Sequence, residues 1–391
     1  MKEIKEKGWI YVILLFLLIA FHCVNNYIIL SLDNTPLIYD ANGFFQRSIG
    51  YYRNIKEIFS VRSARPPLFM LTSLPLYFLF GVTPDIAVMT NLVFLFILLL
   101  SVYGIGKKLF NKDTGLLAAF ILSTYPIIFG FSRIYMQDIA LTAMVTLSIL
   151  LLILTENFSN RKYSLLFGLT AALGVLTRHA YPIFLIGPCL YFLLIPFFEK
   201  NVERKRVIIN ATLSLALCFL IVSFWYIPNI AFALNYFSSG DITPRSLNQI
   251  FPFSKESSLY YLSALSNSQI FPVYFLLFLV SLVFLAIRRV KKIVFLLVWI
   301  IVSYIITSSL GDKIPRYTIP YLPAVALITA LGVNIIEKKK IRKILISLIV
   351  FFGLIQFFFV SYMPQGEDFF HHIEITPGWR RYECEAMGYT F

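Results

Sequence analysis

Two carboxylates and one guanidinium have the types and placement that could do chemistry in this chain. Asp40 follows Leu37-Ile38-Tyr39 and opens a polar stretch soon after the first long apolar run. Asp138 closes Ser132-Arg133-Ile134-Tyr135-Met136-Gln137-Asp138, at the mouth of a later apolar run. Between them, Arg65 precedes Pro66-Pro67-Leu68. A carboxylate so placed can take the proton of a hydroxyl as its oxygen attacks a carbon centre. An arginine ahead of two prolines, which keep the chain extended and stiff, can grip a phosphate with two hydrogen bonds at once. It can also stabilise negative charge as that phosphate leaves. Blander roles compete at every position. Asp is favoured at helix starts, Asp138 has Arg133 close by as an ion-pair partner, and an interfacial Arg reaches lipid headgroups.

The elements that must position these residues are apolar helices. Of the 391 residues, 59% are hydrophobic and only 14% charged, with a mean hydropathy of +0.78. A soluble domain needs more polar surface, so most of the chain must be solvated by lipid. Runs long enough to span, or nearly so, lie near 9–30, 86–106, 114–131, 139–155, 164–178, 181–198, 207–231, 271–287, 293–309, 317–336 and 344–361. They predict an all-α polytopic membrane protein of about eleven transmembrane helices, and they lack the alternation of barrel strands. The first run is too long for a cleavable signal, and no small-residue cleavage site follows it.

Charge predicts the orientation. With a cytoplasmic N-terminus, segments 1–8, 107–113, 156–163, 199–206, 288–292 and 337–343 lie inside. They hold 21 of the 34 basic residues and 7 of the 20 acidic ones, so the whole excess of positive charge is cytoplasmic. Asp40, Asp138 and the C-terminus then lie outside. Anionic lipid accounts for clusters such as Arg288-Arg289-Val290-Lys291-Lys292, so the pI near 9.5 does not imply nucleic acid. Cys23, Cys189 and Cys218 fall within apolar runs and Cys384 stands apart, so no disulfide is expected.

Residues 1–362 read as the membrane domain and 363–391 as a short outer tail. The first outer loop, 31–85, combines Phe44, Phe45, Ile49, Tyr51, Tyr52, Ile55, Ile58 and Phe59 with intervening charges, which suits an amphipathic juxtamembrane helix. Leu68 to Phe80 is about 13 residues long, too short for a span. It carries Pro75 and stops at Gly81, so it reads as a juxtamembrane or re-entrant helix. The loop at 232–270 carries turn signals at Gly240-Asp241 and Thr243-Pro244 and reads as a flap over the membrane face.

The order of these features resembles the GT-C glycosyltransferases, most of all the branch of protein O-mannosyltransferases and aminoarabinose transferases. The resemblance rests on the early outer-loop Asp, Arg65-Pro66-Pro67-Leu68, Phe80-Gly81 and Tyr103-Gly104-Ile105-Gly106-Lys107-Lys108-Leu109-Phe110. It continues through Gly115-Leu116-Leu117-Ala118-Ala119, Ser132-Arg133, Asp138-Ile139-Ala140-Leu141-Thr142, Leu176-Thr177-Arg178 and Pro315-Arg316-Tyr317-Thr318-Ile319-Pro320-Tyr321-Leu322-Pro323. It covers roughly residues 9–336. It implies the GT-C fold and an inverting transfer of a hexose or pentose from a polyprenyl-phosphate donor to a lipid, glycan or protein acceptor at the outer face of the cell membrane. Family members often have Asp-Glu in the first loop, whereas Ala41 follows Asp40 here, and many carry a soluble C-terminal domain.

On this reading Asp40 and Asp138 are catalytic, Asp40 as general base and Asp138 sharing its proton network. Arg65, Arg316, Arg178 and Lys313 are cations for the donor phosphate. Tyr39, Arg133, Tyr135 and Tyr317 are candidates for substrate contact. No cofactor is expected, since a hard cation wants several oxygen ligands and only two carboxylates are evident; a divalent ion held by Asp40 and Asp138 is the alternative. His179 reads as a satisfied interfacial histidine, and His371-His372 with Glu374 as a weak metal set. A polymerase or ligase of lipid-linked glycans would instead rely on outer-loop arginines such as Arg245. A flippase would carry charge at mid-membrane, where the eleven runs leave none.

Overall fold

The computed structural model describes residues 8–32, 37, 39–60, 63–198, 203–238, 252, 254–310 and 313–362. The first span is α1 (Gly8–Leu32). The first long loop forms α2 (Tyr39–Arg53), α3 (Glu57–Ser60), α4 (Leu68–Thr72) and α5 (Leu74–Phe80). There follow α6 (Pro84–Leu109), α7 (Lys112–Ser123), α8 (Pro126–Phe131), α9 (Asp138–Leu154), α10 (Arg161–Thr177), α11 (Tyr181–Phe198) and α12 (Arg204–Ser238). The chain continues with α13 (Lys255–Ala264), a π-helical turn (Leu265–Gln269), α14 (Pro272–Ile287) and α15 (Ile293–Ser308). A 3-10 turn (Pro315–Tyr321), α16 (Leu322–Asn334) and α17 (Lys339–Tyr362) complete it. No strand occurs among the described residues.

Every apolar run of the sequence is helical, and among the described residues six stretches are long and apolar enough by themselves to cross a membrane. These are Gly8–Leu32, Pro84–Leu109, Tyr181–Phe198, Arg204–Phe232, Pro315–Asn334 and Lys339–Tyr362. The run expected at 114–131 is divided between α7 and α8. Pro126 forces Tyr125 into an extended conformation (φ −67°, ψ 127°), which ends the first helix. Two boundaries also move in the second long loop. Helix α12 runs on to Ser238, and α13 begins at Lys255, where the Ser254 hydroxyl accepts from the Ser257 amide at 3.0 Å.

Small residues let the helices approach closely. A Cβ on Gly106 of α6 would strike the Gly115 backbone of α7, and one on Gly168 of α10 would strike the Ser214 carbonyl of α12. Without water to drive helix pairing inside a bilayer, such backbone contact is what packing relies on. The first-loop helices lie against this bundle as their pattern predicts. Ala41, Phe44, Phe45, Ser48 and Tyr51 are the buried stripe of α2, spaced at the 3.6-residue period. Leu68 to Phe80 is two short helices meeting at Ser73, buried at Phe69, Met70 and Tyr77, while Phe78, Leu79 and Phe80 stand exposed at the tip.

The bundle has two chemically distinct ends. At one, Tyr11 Oη donates to Asp113 (2.7 Å), Lys108 meets Glu156 (3.4 Å), Lys292 Nζ donates to the Leu109 carbonyl (2.7 Å) and Arg288 meets Glu337 (3.3 Å). These contacts gather four of the basic segments around the start of α1. Asp138 starts α9, about 25 Å of helix away from the Glu156 end by the rise of 1.5 Å per residue, and there the other polar groups converge. Cys23, Cys189 and Cys218 carry free thiols; Cys384 and the 363–391 tail lie outside the described residues.

Candidate active site

Asp40 occupies the first turn of α2, behind Tyr39, whose φ of +47° places it in the left-handed region that non-glycine residues rarely adopt. Its Oδ1 accepts from Arg65 Nη2 at 2.5 Å, and its Oδ2 lies 3.8 Å from Arg316 Nη2. The Arg65 guanidinium also rests 4.7 Å above the Phe44 ring, so one face is covered by an aromatic and one edge is held by a carboxylate. Pro66 and Pro67 are buried, and the segment before them is tied down from three sides. The Ser63 amide donates to Asn229 Oδ1 of α12 (2.9 Å), the Arg65 amide donates to Ser63 Oγ (3.0 Å), and the Ala64 carbonyl accepts from His179 Nε2.

Asp138 sits at the start of α9 and is 1% exposed. Its Oδ1 accepts from Arg178 Nη1 at 2.5 Å, while Oδ2 has no hydrogen-bond partner among the described residues. Arg178 ends α10 in an extended conformation, which throws its side chain across to α9. The Arg178 guanidinium lies 5.6 Å from the Tyr317 ring centroid, and Arg316 lies 6.0 Å from the same ring. Contacts therefore run from Arg65 through Asp40, Arg316, Tyr317 and Arg178 to Asp138. The two carboxylates belong to one polar cluster, linked through arginines and a tyrosine. The 3-10 turn carrying Arg316 and Tyr317 is clamped by Gln269, whose Nε2 donates to the Pro315 carbonyl (2.6 Å) and to Thr318 Oγ1 (2.7 Å).

Exposure separates the two halves. The Asp40–Arg65 pair is about one-third exposed on both sides, whereas Asp138–Arg178 is nearly closed to solvent. Of the two carboxylates, Asp40 is the one that a solute can reach.

Three residues that the sequence singled out stand elsewhere. Arg133 pairs with neither carboxylate: its Nε donates to Asn26 Oδ1 of α1 at 3.1 Å, and its guanidinium lies between the Phe129 and Phe357 rings. The alternative pairing of Asp138 with Arg133 does not form, and Arg178 takes that place. Tyr135 is fully buried, with its hydroxyl 2.6 Å from Ser73 Oγ and its ring against Phe69, so it holds the first-loop helices to the bundle. Lys313 is 1% exposed and points its ammonium at the carbonyls of Thr307, Ser308 and Leu310, capping the end of α15. Tyr39 is exposed beside Asp40. Three supports went unforeseen: the His179–Ala64 bond, Asn229 and Gln269. Asn229, a polar residue next to Pro228 near the end of the apolar run 207–231, was the available signal for one of them. Arg245, His371, His372 and Glu374 lie outside the described residues.

Comparison with known proteins bears on the fold. Residues 52–226 match the family model described as dolichyl-phosphate-mannose-protein mannosyltransferase. An uncharacterized protein of Aquifex aeolicus (strain VF5) is 26% identical over 237 residues, which is 60% of this chain and 46% of that relative's length. Among solved structures, ArnT from Cupriavidus metallidurans bound to undecaprenyl phosphate superimposes with a TM-score of 0.68 at 14% identity, over 97% of this chain and 69% of that one. The oligosaccharyltransferase AglB from Archaeoglobus fulgidus, in complex with an inhibitory peptide and a dolichol-phosphate, gives 0.61 at 13% identity, over 95% and 60%. The all-helical bundle with its first-loop helices therefore has the GT-C fold seen in ArnT and AglB.

Proposed function

We propose that this protein is an inverting glycosyltransferase that moves a sugar from a polyprenyl-phosphate donor to a cell-envelope acceptor at the outer face of the cell membrane. The observation that carries the reading is the meeting of Arg65 and Arg316 on one partly exposed carboxylate, Asp40. An acceptor hydroxyl beside Asp40 loses its proton to the Asp40 carboxylate as its own oxygen attacks the anomeric carbon. The carbon–oxygen bond to phosphate breaks in the same displacement, and the electron pair stays on the phosphate. Arg65 and Arg316, freed from Asp40 as the donor phosphate enters, neutralise that growing charge where it appears. Three arginines against two aspartates leave one net positive charge in the cluster, which suits a phosphodiester. The undecaprenyl phosphate and dolichol-phosphate in the structures named above support a polyprenyl donor.

Transfer proceeds without a metal in this reading, because a hard cation wants several oxygen ligands and the cluster holds only two carboxylates. Among the described residues, no group of three or more His, Cys, Asp and Glu side chains converges. The positive-inside rule supports placing the basic end of the bundle in the cytoplasm and the Asp40 end outside. The test is transfer by purified protein from radiolabelled polyprenyl-phosphate sugars, both hexose and pentose, to a panel of lipid, glycan and peptide acceptors. Lack of turnover with every donor, by folded protein, would end the proposal.

A further inference from the structure

The turn between α10 and α11 supplies one member of the Asp138–Arg178 pair and contacts the backbone beside Arg65 of the other. Arg178 reaches Asp138, and the next residue, His179, reaches the opposite way. Its Nε2 is bonded to the carbonyl oxygen of Ala64, directly before Arg65, and its Nδ1 lies 2.6 Å from Tyr226 Oη. A carbonyl can only accept, so Nε2 carries the proton and Nδ1 accepts from the tyrosine. Burial lowers the imidazole pKa below its ordinary value; the Ala64 bond opposes that shift and Arg178 adds to it.

We infer that His179 is a positioning residue. It fixes the backbone at Ala64 and thereby sets the Arg65 guanidinium against Asp40, at a constant distance from the Asp138–Arg178 half of the site. The inference rests on the transferase reading for its consequence, though not for its geometry. The physical need is plain: residues 63–67 belong to no helix, so their backbone groups depend on side chains for hydrogen bonds. His179 and Asn229 supply one each, on either side of Ala64. A long arginine side chain is only as well placed as the backbone that carries it.

Three substitutions separate the contacts. In His179→Gln the amide nitrogen stands near the place of Nε2 and can still donate to Ala64. In His179→Asn the shorter side chain reaches only the place of Nδ1, where its amide oxygen can accept from Tyr226, and the Ala64 bond is lost. His179→Phe loses both. Two readouts are taken on purified, folded protein: kcat and KM with a polyprenyl-phosphate sugar, and hydrogen exchange of the peptide covering residues 61–68 without any donor. A displacement of about 1 Å at a reacting group can cost roughly a hundredfold in rate. The Asn and Phe variants should therefore lose about tenfold to a hundredfold in kcat and exchange faster in that peptide, while Gln retains most of both. Wild-type kcat in His179→Phe, or a Gln variant as impaired as Phe, would overturn the inference. If the wild-type protein transfers no sugar at all, the transferase reading fails, and the exchange data alone still decide the tether: faster exchange in Phe and Asn but not Gln upholds it, and equal exchange in all four proteins refutes it.

Discussion

Asp138 and Arg178 form a 2.5 Å ion pair, 40 residues apart in sequence, that solvent barely reaches. Taking two charges out of water is costly, and their attraction offsets that cost only while both are present. Removing one partner of such a pair typically destabilises by about 3–5 kcal/mol. Asp138→Asn should therefore lower stability by that order, and Arg178→Met likewise. The double variant should recover much of the loss, because no uncompensated charge remains. Thermal unfolding in detergent measures all three. Additive losses in the double variant would show that the pair does not act as a unit.

Arg65 differs in being reachable from solvent. Exposed ion pairs are worth about 0–1 kcal/mol, so Arg65→Ala should fold nearly as well as wild type. Its donor use should nevertheless fall by roughly tenfold or more in kcat/KM, as expected for losing a charge-assisted bond of about 1.5–3 kcal/mol. Arg65→Lys should recover only part, since an ammonium cannot reproduce the two-pronged grip on a phosphate. Steady-state kinetics at varied donor concentration would distinguish this from a headgroup anchor, for which Arg65→Ala would turn over donor at the wild-type rate.

The spans were legible because lipid leaves the chain little choice: about 20 apolar residues must follow one another. Asp40, Arg65 and Asp138 were legible for the complementary reason, since charges are scarce in such a chain and stand out. Their pairings were not. Arg133 is five residues before Asp138, yet the bend over 132–137 turns it to Asn26, while α10 brings Arg178 in from another helix. Which helix ends meet is decided by packing, including the close Gly106–Gly115 and Gly168–Ser214 approaches, and local sequence does not report it. Tyr135 and Lys313 follow the same logic. One is buried by Ser73 and Phe69, and the other is claimed by the carbonyls at the end of its own neighbouring helix.

The clustering of basic segments at one end of the bundle yields a topology test. In a background with all four cysteines replaced, Tyr52→Cys and Arg289→Cys place single thiols at opposite ends. Tyr52 is an exposed position of the first loop, and Arg289 follows α14 at the basic end. An impermeant thiol reagent should label position 52 in intact cells and position 289 only after permeabilisation. The reverse pattern would invert the whole scheme and put Asp40 in the cytoplasm.

Asp40 gives the sharpest expectation. Loss of a positioned general base costs about 10²–10⁴ in rate. The carboxamide of Asn keeps the shape of the side chain, and the carboxylate it replaces is partly exposed, so Asp40→Asn should fold, insert and still bind donor. It should transfer almost no sugar. Asp40→Glu keeps the charge but moves it by one methylene, away from the oxygen it must deprotonate, and should retain a trace of activity. Asp138→Asn provides the comparison. If Asp138 only braces the cluster, its residual activity should exceed that of Asp40→Asn in protein kept folded at low temperature. If the two carboxylates share a cation, both variants should be equally inactive and a chelator should silence the wild type. Single-turnover transfer with preloaded donor separates these cases, because it reads the chemical step without donor uptake. Near-normal single-turnover transfer by folded Asp40→Asn protein would remove Asp40 as the base and transfer that role to Asp138.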